Sequence, residues 1–171
     1  MARQLLNLQE YQQDILSRLK SVTESDAVVA ASRLGVQIAD VFYLIDLNDI
    51  NEVLPVPEFL RVPLTQAWFL GMANVRGNLY GITDLSRFLH GVPASINAQS
   101  RILLAHDRYD INAALLVDRL VGLRNLEAMQ YSNNKKNKED ILKYTDEGGQ
   151  QWQELDISLL LERNDFMQVA A

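Results

Sequence analysis

Few residues in this chain are placed to do chemistry. The only two histidines are His90 and His106, and there is no cysteine. Thiol catalysis, disulfides and thiolate metal sites are therefore excluded, which fits a reducing compartment. Neither His-Glu-x-x-His nor His-x-x-Glu-His occurs, so the histidines lack the companions that a metal centre needs. His90 stands beside Gly91 at an expected helix end, where a cation complements the helix dipole, and His106 lies at a strand end. The acidic pairs Glu139-Asp140 and Asp146-Glu147 fall in a polar stretch, where nothing apolar would raise a carboxyl pKa for acid catalysis. Asp84 is placed to cap a helix, although a hydrolase or small-ligand-binding barrel using carboxylates such as Asp84 is a rival reading. Nucleophile-elbow, phosphate-cradle and dinucleotide motifs are absent. No metal, cofactor or catalytic residue is expected.

The remaining candidate is Asn74-Val75-Arg76-Gly77. Gly77 permits a positive backbone angle between extended segments, Asn74 can hydrogen-bond local backbone, and Arg76 projects a planar fork of donors. Arg76 either bonds a nearby carbonyl or carboxylate or organises a contact surface. Glu52 is likewise either an exposed strand residue or half of a pair with an arginine across the fold. The residues alone leave both choices open.

The elements around this turn are mostly short strands. Apolar residues at Leu5, Leu8, Tyr11, Ile15, Leu19 and Val22 make one stripe and predict a helix over residues 3–22. That stripe either covers its own domain, as most do, or docks a partner. Residues 1–26 are read as this helix and its linker, and 27–171 as the main domain. Leu34 to Ile38 and Val41 to Leu47 form an expected hairpin around Ala39-Asp40, and a third strand from Ile50 stops at Pro55 and Pro57. Pro63 to Leu70 is expected as a short helix capped by Gly71. Asn78 to Thr83 then reads as a strand, followed by a helix from Asp84 to Gly91. The small polar residues 92–100 read as a crossover where two successive strand groups meet. The second group begins with a hairpin of Arg101 to His106 and Ile111 to Val117, and continues through Leu120 to Met129 with a break near Gly122. Tyr131 to Gln151, with its lysine-rich start at 133–138, is expected as a mobile loop. Trp152 to Ile157 closes the sheet, and Ser158 to Met167 ends the chain as a short helix. Two small barrels fit this order, whereas a doubly wound parallel sheet would need crossover helices.

Composition sets the class. At 171 residues and 48% hydrophobic, the chain can bury a sizeable core. Its formal charge of −6 argues against a general nucleic-acid surface. No apolar run approaches the roughly 20 residues that span a bilayer, and the start lacks a signal-peptide core, so direct membrane insertion is not expected and the expected address is the cytoplasm.

The run Gly71-Met-Ala-Asn-Val-Arg-Gly-Asn-Leu-Tyr-Gly-Ile-Thr-Asp-Leu85 resembles the CheW-like adaptors of bacterial chemosensory systems. Ile50-Asn51-Glu52-Val53 is similar to the family's upstream element, and Leu116-Val117-Asp118-Arg119-Leu120 to its Val-Asp-Gly-Val element. Two departures are Gly81, where the family has a proline, and Arg119, where it often has glycine. The resemblance implies a mostly β fold of two five-stranded SH3-like barrels with short helices, here with an additional N-terminal amphipathic helix. It implies a non-catalytic adaptor at inner-membrane receptor arrays, with a chemoreceptor's cytoplasmic tip and the regulatory domain of a CheA-like histidine kinase as partners. Ile50, Glu52, Asn74, Val75, Arg76, Gly77, Val117 and Leu120 would then be the receptor- or kinase-binding residues. The extra helix and the Ala-Asn-Val-Arg-Gly form point to the pilus-associated, twitching pathway, with a flagellar pathway as the alternative.

Overall fold

A computed structural model describes residues 31–132 and 141–171, so the expected helix over 3–22, the lysine-rich run and Glu139-Asp140 lie outside the described residues. The first strands, β1 (Ser32–Ile38) and β2 (Val41–Asp46), pair antiparallel from Arg33 opposite Asp46 to Ile38 opposite Val41. Ala39 takes φ +53° between them, the left-handed backbone that a two-residue hairpin connection demands. A 3-10 turn leads into β3 (Ile50–Pro55), which ends at its first proline as expected. Next come β4 (Phe69–Val75), β5 (Asn78–Asp84) and helix α1 (Leu85–His90). Asp84 caps α1 by accepting from Arg87 N, and Gly91 closes it at φ +72°. The chain continues as β6 (Arg101–Ala105), β7 (Ala113–Val117) and β8 (Arg119–Asn125). The short strands β9 (Gln130–Ser132), β10 (Lys143–Thr145) and β11 (Gln151–Glu154) precede helices α2 (Ile157–Glu162) and α3 (Asn164–Met167).

These strands make two sheets, ordered β8-β1-β2-β11-β10-β9 and β3-β6-β7-β5-β4. The mostly β fold is the one expected, with one sheet of five strands and the other extended to six by the three-residue β9. The two strand groups are not successive, as the reading of 92–100 had it. The N-terminal hairpin joins the C-terminal strands, while β6 and β7 complete the sheet begun by β3, β4 and β5. Burial explains why. Arg101-Ile-Leu-Leu-Ala105 and Ala113-Ala-Leu-Leu-Val117 are almost continuously apolar, the pattern of strands covered on both faces. Ile102, Leu104, Ala114 and Leu116 turn inward to meet Tyr80 and Ile82, while Leu103, Leu115 and Val117 meet Val36, Ile45, Leu85 and Ile157 on the other side. A strand buried on both faces must have packing partners on each side, as the two clusters give β6 and β7.

The expected helix over 63–70 is absent. Gln66 N donates to Val169 O at 2.7 Å and Ala171 N to Leu64 O at 2.9 Å, so this segment runs alongside the chain's tail. A helix of two turns has too few internal bonds to compete with such pairing, and Trp68 is held by stacking on Phe166, centroids 5.8 Å apart. Gly71 is consequently a strand residue rather than a cap, at a register shift where an added Cβ would lie 2.1 Å from Leu60 O. The expected loop from Tyr131 to Gln151 contains β10 and an ordered turn beyond it. The final helix is broken at Arg163 into α2 and α3.

Candidate docking site

The β4–β5 connection is a two-residue turn with Val75 opposite Asn78. Arg76 and Gly77 take φ +53° and +87°, both positive, as the tightest hairpin turns require. Asn74 Oδ1 accepts from Gly77 N at 2.9 Å and holds the turn. From there the Arg76 guanidinium reaches Glu52 on β3, Nη1 to Oε2 at 2.7 Å and Nη2 to Oε1 at 2.6 Å. A shift in register between Ile50 and Glu52 marks a bulge in β3, and bulges of this kind re-aim the side chains beside them. β3 and β4 are the two edges of the five-stranded sheet. The fork-to-fork pair therefore joins opposite edges, and Leu60, in the connection between them, exchanges backbone bonds of 2.8 Å with Met72 on β4. The sheet curls until its edges meet.

Beside this closure lies a groove of about 650 Å³ lined by Pro57, Phe59, Leu60, Met72, Asn74 and Leu79. Leu60 is 80% and Leu79 57% exposed, an apolar face open to solvent next to a fixed guanidinium. Glu52, Asn74, Val75, Arg76 and Gly77 are thus brought together, with Ile50 at the start of the same β3 edge and half-buried. Val117 is not part of a surface: it is fully buried in the core between the sheets, because β7 is covered on both faces. Leu120 lies on β8 in the other sheet, half-buried against that same core.

Other polar residues hold this scaffold. Asp84 is 2% exposed, and both its oxygens are engaged, Oδ1 by Arg87 N at 3.0 Å and Oδ2 by Ala94 N at 2.9 Å. Tyr43 O–H and His90 Nε2 are 2.9 Å apart, and burial pushes the phenol pKa up. His106 Nδ1 accepts from Arg108 N. Asp49, unremarked in the sequence, accepts from the Arg108 guanidinium and the Tyr109 hydroxyl, which ties the turn before β3 to the β6–β7 connection. Burial raises the Tyr109 pKa, and the bond to Asp49 raises it further. Asp118, between β7 and β8, also has its carboxyl pKa raised by burial, opposed by a backbone bond from Ala39.

The departures have local reasons. A Cβ at Gly81 would lie 2.7 Å from the Phe69 ring, and Gly81 N donates to Asn112 O at 2.9 Å, a bond no proline could make. The Arg119 Nε donates to Gln37 Oε1 at 2.6 Å, with its guanidinium 5.8 Å from the Phe42 centroid. The groove beside the hairpin was not legible, because no local signal separates the exposed Leu60 and Leu79 from the many buried leucines of this chain.

Two sheets on a shared core, with an Asn-x-Arg-Gly hairpin closing the smaller one, define a CheW-like domain: residues 33–165 match that family, and the chain belongs to it. It is similar to the protein PilI of Pseudomonas aeruginosa, at 30% identity over 109 residues. The match takes in 64% of this chain and spans 61% of that protein's length. In structure it is similar to the scaffolding protein TtCheW from Thermoanaerobacter tengcongensis, at a TM-score of 0.65 and 18% identity. That likeness covers 79% of this chain and 90% of the other.

Proposed function

We propose that the chain is a non-catalytic adaptor joining the cytoplasmic tip of chemoreceptors to the regulatory domain of a CheA-like histidine kinase. The observation that carries this reading is the open apolar groove at Leu60 and Leu79 beside the Glu52–Arg76 pair, in a domain of the CheW-like family. The groove offers an apolar barrel edge to a homologous barrel of the kinase, while Ile50, Glu52, Arg76 and Leu120 border the receptor region. Engagement of both Asp84 oxygens in backbone bonds supports the adaptor over a hydrolase built on that carboxylate. Similarity to PilI supports the twitching-motility pathway of type IV pili over a flagellar one. The adaptor then works in the cytoplasm at inner-membrane receptor arrays; among the described residues no helix is long and apolar enough to cross a membrane. Modest single contacts suffice in such arrays, because linked weak interfaces give avidity. The test is co-purification of the full chain with a purified kinase regulatory domain and a receptor hairpin. A ternary complex is expected, and capture of neither partner would overturn the reading.

A further inference from the structure

A second feature lies where the chain crosses from one sheet to the other. β7 ends at Val117, and Arg119 opens β8. Facing it is Arg101, the first residue of β6, which is paired with Val117. Arg101, Arg119 and Leu120, with Ala98 and Gln99, line a notch of about 230 Å³.

Both guanidiniums are held from behind. Arg101 donates through Nη1 to Ala98 O at 2.8 Å and to Ser100 O at 2.7 Å. Arg119 is fixed through Nε by Gln37 and lies over the Phe42 ring. Neither arginine forms an ion pair among the described residues, and neither uses its Nη2 donors there. The acidic residues Asp40 and Asp118 line an adjoining polar pocket, which shares Gln99 and Arg119 with the notch, and do not line the notch itself. Two pre-positioned forks with no anion partner among the described residues, next to the apolar Leu120, suit a carboxylate carried beside an apolar residue. Planar donor forks match carboxylate oxygens in pairs, and fixing them beforehand lowers the entropy lost on binding.

We infer that the notch between Arg101 and Arg119 receives an aspartate or glutamate side chain from the chemoreceptor helix that packs on Leu120. The inference deepens the adaptor reading and rests on it. It makes the two arginines specificity determinants for receptor choice: a receptor with a neutral or basic residue at that helix position leaves two cations without a counter-charge.

The test measures binding of the full chain to the purified receptor hairpin and, separately, to the kinase regulatory domain. Arg119→Gln and Arg101→Gln are each expected to weaken receptor binding about tenfold, with kinase binding unchanged. Arg119→Glu should weaken it further, and exchanging the contacted receptor carboxylate for lysine should restore binding to that variant. Receptor affinity of the unaltered chain should fall as salt rises. Receptor binding retained by both glutamine variants would overturn this inference alone. Loss of kinase and receptor binding together would also overturn it, by marking the arginines as structural. Failure of the unaltered chain to bind either partner would overturn the adaptor reading itself.

Discussion

Arg76 holds a backbone conformation that disfavours it and makes an ion pair worth little. A left-handed φ costs an L-residue about 1 kcal/mol, and the Arg76 side chain is 72% exposed, where such pairs contribute between about 0 and 1 kcal/mol. The two effects nearly cancel, so the arginine does not hold the fold together. Its consequence is placement, a fixed cation beside an apolar groove. Arg76→Ala and Glu52→Arg should each move the melting temperature by less than about 4 °C, while weakening capture of receptor or kinase. Unchanged capture by both variants would remove these residues from the docking surface. Asp84 behaves oppositely. Asparagine caps helices as well as aspartate does, but Asp84 uses a second oxygen to hold Ala94 N. An amide has only one acceptor oxygen, so Asp84→Asn should leave one part-buried N–H unpaired and cost about 1 kcal/mol in denaturant titration. A loss below about 0.5 kcal/mol would mean that the bond to Ala94 contributes nothing beyond the cap.

At the scale of elements, polar composition was misleading in the β10–β11 connection, where a carboxylate organises the chain. Asp146 accepts from Gly148 N at 3.0 Å, Gln150 N at 2.9 Å and the Trp152 indole N–H at 3.0 Å. These donors favour the charged form and lower its pKa, the indole most of all. Since the folded pKa lies below the unfolded one, the stabilisation is complete above about pH 4 and is lost as pH falls through the lowered value. Asp146→Asn should therefore melt earlier than the unaltered chain near neutrality. The two melting temperatures should converge in acid, because a protonated aspartate resembles the amide; a constant gap would show that the charge is not involved. Strands β1, β2, β3, β5, β6 and β7 were legible because their signals are local: apolar runs, a tight turn at Ala39, prolines at 55 and 57. The stretch 63–70 was not, because its pairing partner, Val169 to Ala171, lies a hundred residues away in sequence. The candidate site divides in the same manner. Glu52 and Arg76 were both singled out, yet their pairing depended on a curled sheet that no local pattern encodes. Val117 was misplaced because an element's resemblance does not say which of its residues face inward.

For the whole molecule, the interleaved chain makes the two sheets one folding unit. The path leaves the six-stranded sheet after β2, builds the five-stranded sheet, and returns through Asp118 into β8. The five-stranded sheet is one continuous stretch, residues 50–117, inserted between the two parts of the six-stranded sheet, and β6 and β7 bury a face on each side. The two tryptophans report on different parts of this arrangement. Trp152 lies in β11 of the six-stranded sheet, while Trp68 is tied to β5 by donation from Asp84 N to its carbonyl at 2.8 Å and stacks among Phe88 and Phe166. With Trp68→Phe or Trp152→Phe, each remaining indole can be followed alone. One shared core predicts coincident unfolding curves for the two reporters. Leu115→Ala tests the sharing directly, because Leu115 is fully buried on β7 yet faces the six-stranded sheet and the terminal helices. Removing it should cost about 2–5 kcal/mol and shift both reporters by the same amount. If the sheets unfolded independently, only the Trp68 curve would move, and a docking event on the five-stranded sheet could not be felt across the core. A common shift would mean that a partner docking at the Arg76 groove stabilises the Arg101–Arg119 notch as well, so that engagement at the two proposed sites shares one folding equilibrium.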